Sequence, residues 1–259
     1  RPTSRSSTMR FLVTHKVGPR MEAGQVEKRE ITEMGAFIQE SIKQGVFKNG
    51  AGLLPSARRT RFQVKNGKET IFHGPYKGIN DLLAGVALVK VENRDEAISW
   101  ARRFSKVIGD CDMDIGSVTE AWDLGFIPKP EGKIPERYLL LMMANEASES
   151  EAPPSEREMA EMGVLLKDMV SAGVLEFTEG IKPSKLGTRL QFKAGKRTTA
   201  VDGPFAESKE LIAGFSIINV PSKAAAIEWA DRYGSILTDL EVDVLALHDE
   251  AAYDGTKKL

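Results

Sequence analysis

The chain has 259 residues, 41% hydrophobic and 28% charged, enough for one large core or two ordinary ones. Lys and Arg number 36 against 37 Asp and Glu, so no basic excess draws a polyanion, and nucleic acid is not an expected partner. The longest apolar run, "YLLLMMA" at 138–144, is strand-length, far from the ~18 residues that span a bilayer. No membrane partner is expected, and the single cysteine, Cys111, excludes an internal disulfide and fits a reducing, cytoplasmic setting.

Residues 1–8, "RPTSRSST", have no acidic residue and no apolar one except proline, and Met9 looks like the natural start. They read as an appended or disordered extension, with the stub of an organelle-targeting peptide as the alternative. "RFLVTH" (10–15) is an apolar strand, followed by a helix that ends at Gly45. A Gly/Pro-punctuated stretch leads to two short strands around the tight turn at Asn66-Gly67. The loop "FHGPYKG" (72–78) and the long strand "LLAGVALVKV" follow. Asn93 then caps a second helix with Ile98, Ala101 and Ile108 inward, and a last strand lies near 115–121. "FIPKPEGKIPER" (126–137) is a proline-rich connector that neither a helix nor a central strand tolerates.

The same order then returns. "RYLLLMM" (137–143) is a strand, and Ser155 with Glu158 three residues on forms a capping box. That helix carries an apolar stripe of Met159, Met162, Leu166 and Met169 and stops at Gly173. "TRLQFKAGK" (188–196) repeats "TRFQVKNGK" (60–68) at six of nine positions, 128 residues later. "AIEWADRY" (226–233) repeats "AISWARRF" (97–104) at an offset of 129, as GPF repeats GPY. The one-residue slip falls between Lys68 and Phe72, inside a strand pair, where an added residue makes a bulge. Residues 9–125 and 137–259 are therefore two tandem copies, with 126–136 linking them.

Each copy has the β-α-β-β-α-β order of a ferredoxin-like unit, with an extra strand before the hairpin. Helices cover only one face of such a sheet, so a second copy is needed to bury the other. The expected fold is α+β: two ferredoxin-like repeats packed sheet to sheet, an intramolecular dimeric α+β barrel.

The second copy, above all "DGPFAESKELIAGF" within "TRLQFKAGKRTTAVDGPFAESKELIAGF", resembles the YCII-related family in its DGPF branch. The first copy is similar in frame but reads "HGPYKGINDLLAGV" at the signature. The resemblance implies a dimeric α+β barrel, usually built from two chains, with a cleft on each protomer. A relative with an assigned reaction is a dehydrochlorinase of a chlorinated aromatic ring, and a His–Asp pair has been proposed as catalytic in others. Many DGPF members are encoded beside alternative sigma factors, which suggests a regulatory setting.

Within this frame Asp202 and His73, one before each Gly-Pro, are the candidate catalytic pair. An aspartate there is a good turn residue, but beside the aromatic wall of Phe205 it is also placed to act as a general base, with a raised pKa. Imidazole cannot stand in for it, so the two loops differ chemically. Phe205, Tyr76, Arg189, Arg61 and Glu207 are the candidate substrate contacts. Each arginine shares its strand face with a glutamine, Gln63 or Gln191, either toward solvent or for recognition of an anion. His15 ends the first strand where the second copy has Met142, and His248 lies at the end of the last strand.

His15, His73 and His248 show no metal-ligand spacing, and "GAGLLP" (50–55) lacks the ending of a phosphate loop. Neither metal nor cofactor is expected. Cys111, between Asp110 and Asp112, is a poor nucleophile. The leading expectation is a cofactor-free enzyme working on a small organic molecule by general acid–base catalysis, as an isomerase, lyase, cyclase or dehalogenase. The alternative is a non-catalytic small-molecule-binding or regulatory protein. Either way the partner is a small molecule, in a pseudo-dimer that can assemble further.

Overall fold

The computed structural model describes residues 8–16, 18–78, 81–150, 152–206 and 209–249. The first copy runs β1 (Met9–Lys16), α1 (Pro19–Glu22), α2 (Lys28–Lys43), β2 (Phe47–Gly52), β3 (Arg59–Lys65), β4 (Lys68–His73), β5 (Leu83–Val91), α3 (Arg94–Ile108) and β6 (Cys111–Ser117). The second runs β7 (Glu136–Met143), α4 (Glu146–Glu149), α5 (Glu156–Ser171), β8 (Leu175–Gly180), β9 (Thr188–Lys193), β10 (Lys196–Asp202), β11 (Ile212–Val220), α6 (Lys223–Leu237) and β12 (Leu240–Ala246).

Local chemistry explains the boundaries. Asn93, Ser155 and Ser222 each accept a backbone N–H at the start of α3, α5 and α6, and Ser155 closes its capping box with Glu158. At the β3–β4 turn Asn66 and Gly67 both take positive φ, 51° and 71°, which suits a tight hairpin. The extra residue of the second copy falls at Thr198, where the β9–β10 register slips, as the offset between copies predicts. The final strand of the first copy begins at Cys111, earlier than its expected place near 115.

The structure is α+β, with two tandem repeats packed as two antiparallel six-stranded sheets. Each sheet, however, draws on both copies. One has the order β10-β9-β12-β1-β11-β2 and the other β4-β3-β6-β7-β5-β8. The first strand, first helix and following strand of each copy have crossed over to its neighbour. Thus β1 pairs with β11 and β12, β7 pairs with β5 and β6, α2 packs on α6, and α5 packs on α3. Two copies of one pattern offer β1 equally complementary edges, so the repeat itself does not select between them. The short passages after β2 and β8 make the crossing. Leu53 bridges to Val118 and Ile181 to Leu247, each joining one sheet to the other. With these two bridges, β12-β1-β11-β2 and β6-β7-β5-β8 close into a ring of eight strands, and the hairpins β3–β4 and β9–β10 project from it.

Three apolar layers hold this together. One lies under α3 and α5 around Phe62, Phe104 and Leu140, and another under α2 and α6 around Phe11, Trp229 and Val244. The third, around Leu12, Leu88, Leu139 and Phe215, fills the space between the sheets. Strand alternation produces the division: Phe11 and Val13 face the helices, while Leu12 faces the opposite sheet. Among the described residues no helix is long and apolar enough to cross a membrane.

Candidate functional site

The two signature loops have the same build. In each, Gly-Pro presses on a short 3-10 turn. A Cβ on Gly74 would lie 1.7 Å from the Ser56 carbonyl oxygen, and one on Gly203 would lie 1.9 Å from that of Ser184, so only glycine fits. The turn is pinned from behind by a carboxylate. Glu22 accepts from the Ser56 N–H and hydroxyl, and Glu149 accepts from those of Ser184, with N–H distances of 3.1–3.3 Å. The residue before each glycine meets a strand threonine: Asp202 Oδ1 accepts from Thr188 at 2.6 Å, and His73 Nδ1 lies 3.0 Å from the Thr60 hydroxyl.

Asp202 and His73 are both exposed, each on its own loop, and the structure does not bring them together. Asp202 also receives Lys223 Nζ at 2.8 Å, and its side chain is 75% exposed. The bonds from Lys223 and Thr188 hold its carboxyl below the usual range, opposite to the rise that an apolar wall would cause. Glu207 lies outside the described residues.

The arginines and aromatic residues of the prediction do meet. Arg189 stacks over the Phe205 ring at 4.7 Å, and Arg61 over the Tyr76 ring at 4.1 Å. Arg189 is not free for an anion. It bonds both oxygens of Asp243 at 2.7 and 2.8 Å, Asp81 at 2.5 Å, and approaches Glu241 at 3.2 Å. Lys16 completes the cluster, 2.9 Å from Asp243 and 2.7 Å from Asp81. Burial opposes its charge, but the two carboxylates prevail and hold its pKa above the ordinary value. In the other half Asp114 occupies the place of Asp243, with Tyr76 and Arg59 as partners and Met143 where Lys16 would be. Arg61 gives a guanidinium N–H to the Lys77 carbonyl at 2.7 Å.

The second concentration of polar groups borders a cavity. A space of about 460 Å³ lies between α2, the edge strand β2 and the segment 119–126. Met34, Ile38, Ala51 and Phe215 line it, Val26 and Phe126 stand exposed at its rim, and His15 and Tyr233 form part of the wall. The Tyr233 oxygen is 2.6 Å from His15 Nδ1. Both groups are buried, and Tyr233 has no other acceptor among the described residues, so its hydroxyl donates to Nδ1 and the ring proton sits on Nε2. Burial, with Arg59 and Lys16 nearby, lowers the His15 pKa to about 3, and burial pushes the Tyr233 phenol up. The imidazole is neutral throughout the physiological range, with one N–H to give.

Tyr233 did not stand out in the sequence, yet a signal was present. His15 occupies the position of Met142, opposite Gly214 as Met142 is opposite Gly85, and Tyr233 repeats Phe104. Met142 and Phe104 both belong to the apolar layer of the other half. Two apolar-to-polar exchanges between copies thus meet in space, 218 residues apart in the chain.

Comparison with known proteins agrees with this build. The model of the YCII-related domain matches the chain twice, over residues 9–110 and 137–244. A protein of Rhizobium meliloti (strain 1021), described only as uncharacterized, is 35% identical over 75 residues, which is 29% of this chain and 60% of that protein. The aligned part is therefore less than two thirds of the relative's length. No solved structure matches.

Proposed function

The chain belongs to the YCII-related family, and we propose that it is a small-molecule-binding protein whose ligand occupies the cavity between α2, β2 and residues 119–126. The observation that carries this reading is the cavity itself. Its 460 Å³ falls within the roughly 300–1,000 Å³ usual for ligand sites, and a mostly apolar wall carries one oriented polar pair, His15 and Tyr233. On this reading the two copies form a pseudo-dimer in which the signature loops are structural: each locks a 3-10 turn to the hairpin and leaves its ionisable residue in solvent. An acid–base role for Asp202 and His73 has less support. Asp202 is held as a carboxylate by Lys223 and is not among the residues that line the cavity.

Titration with N-phenyl-1-naphthylamine, a neutral dye that brightens in apolar surroundings, tests the proposal. One saturable site per chain is expected. Val26→Trp, at the exposed rim, should abolish it without lowering the melting temperature. Undiminished binding to Val26→Trp, or none to the native chain, would overturn the reading.

A further inference from the structure

We infer that the cavity selects for uncharged molecules: its occupant is a neutral aromatic or aliphatic compound bearing a hydrogen-bond acceptor, and anions are refused at the wall. This deepens the binding reading above and rests on it. The described lining residues include no lysine and no arginine. Of its two carboxylates, Glu30 holds Arg20 at 2.7 and 3.4 Å, while Asp123, exposed at the edge, accepts the Glu120 N–H at 2.9 Å and keeps its negative charge toward the opening. Arg59, the cation beside His15, is fully buried and lies outside the lining; it gives Nε–H to the Leu54 carbonyl at 3.0 Å and one terminal nitrogen to Asp114 at 3.3 Å, while its other terminal nitrogen has no partner among the described residues.

His15 could have supplied a positive charge, but Tyr233 donates to its Nδ1, and protonating a ring at 7% exposure, beside Arg59 and Lys16, is unfavourable. What remains is a neutral N–H donor, Nε2, which has no hydrogen-bond partner among the described residues. A carbonyl, ether or hydroxyl oxygen satisfies it. A carboxylate, sulfonate or phosphate entering the same space would lose its water without a cation in exchange, which is strongly unfavourable. The interior cations Lys16, Arg59 and Arg189 all lie outside the lining: Lys16 and Arg189 are closed off by Asp81 and Asp243, and Arg59 is paired with Asp114.

A matched pair of dyes tests this. N-Phenyl-1-naphthylamine and 1-anilinonaphthalene-8-sulfonate share their ring system and differ by the sulfonate. The second is measured by displacement of the first, so that only the shared cavity is read. The neutral dye should bind roughly tenfold tighter or better. Gln39→Lys, which brings an ammonium to the exposed rim, should narrow that gap by strengthening the sulfonate alone. Equal or tighter displacement by the sulfonate in the native chain would overturn the inference while leaving the cavity as a binding site. A gap unchanged by Gln39→Lys would overturn its electrostatic basis. Failure of both dyes to bind would remove the binding reading, and the inference with it.

Discussion

The two halves of this molecule are near-copies in backbone and differ where their first strands meet the rest of the sheet. At the end of β1 stand His15 and Lys16, and at the end of β7, Met142 and Met143. The polar pair does not stand alone. His15 comes with Tyr233 where Met142 comes with Phe104, and Lys16 comes with Asp81, Asp243 and Arg189 where Met143 has none of these. A buried polar residue is tolerated only with its partners, so the copies have diverged by whole groups rather than by single side chains. Because the first strand of one copy lies in the other's sheet, each group joins residues from both copies. A polar site in one half could then arise while the other kept an apolar core.

Making the first half resemble the second should show how tightly these groups are coupled. The largest effect is expected for Lys16→Met. It removes the ammonium that Asp81 and Asp243 share in the interior, and breaking a buried ion pair in this way costs ~3–5 kcal/mol. Urea unfolding should report a loss of that size. A loss under about 1 kcal/mol would mean that the two carboxylates take up protons or water and that the cluster contributes little.

An intermediate effect is expected at His15, and it depends on pH. Its folded-state pKa of about 3 lies below the ordinary 6.5, so between these values the unfolded chain binds one more proton than the folded one. The contribution is complete above the ordinary value and is lost as pH falls toward 3, at about 1.4 kcal/mol per pH unit. His15→Gln, which can still accept from Tyr233, should remove that slope from the stability profile measured between pH 6 and 4. An unchanged slope would place the acid sensitivity elsewhere. The smallest effect belongs to the signature loop. Asp202→Asn removes an exposed ion pair with Lys223 and should lower stability by less than about 1 kcal/mol, with the difference fading in high salt and dye binding unchanged.

Much of this architecture could be read from the chain. The duplication, the helix caps at Asn93 and Ser155, and the extra residue near Thr198 follow from local pattern, and local pattern is what sequence records well. The crossing of β1, α2 and β2 into the other sheet did not, because both copies present the same apolar alternation and either edge satisfies it. The site was half legible. His15 was visible as a departure from Met142, but Tyr233 ends the "AIEWADRY" stretch, whose match to the first copy favours a core reading. Only the fold brings the two departures within 2.6 Å. The stacking of Arg189 on Phe205 could not be read from the strand pattern, which pairs Arg189 with Gln191, and an anion role was open because Lys16 and Asp81, which fill the space around the guanidinium, come from the other copy.

The exchange of segments also orders the making of the protein. Translation releases β1, α2 and β2 first, but their partners β11 and β12 lie some two hundred residues downstream. Meanwhile β3 through β8 form an uninterrupted stretch, and by residue 180 that sheet and both of its helices can be complete. A chain that folds as it is made would therefore seat its earliest strand among the last, with β7 meanwhile competing for the same kind of edge. The half that carries His15 and the cavity is the one whose strands are completed last along the chain.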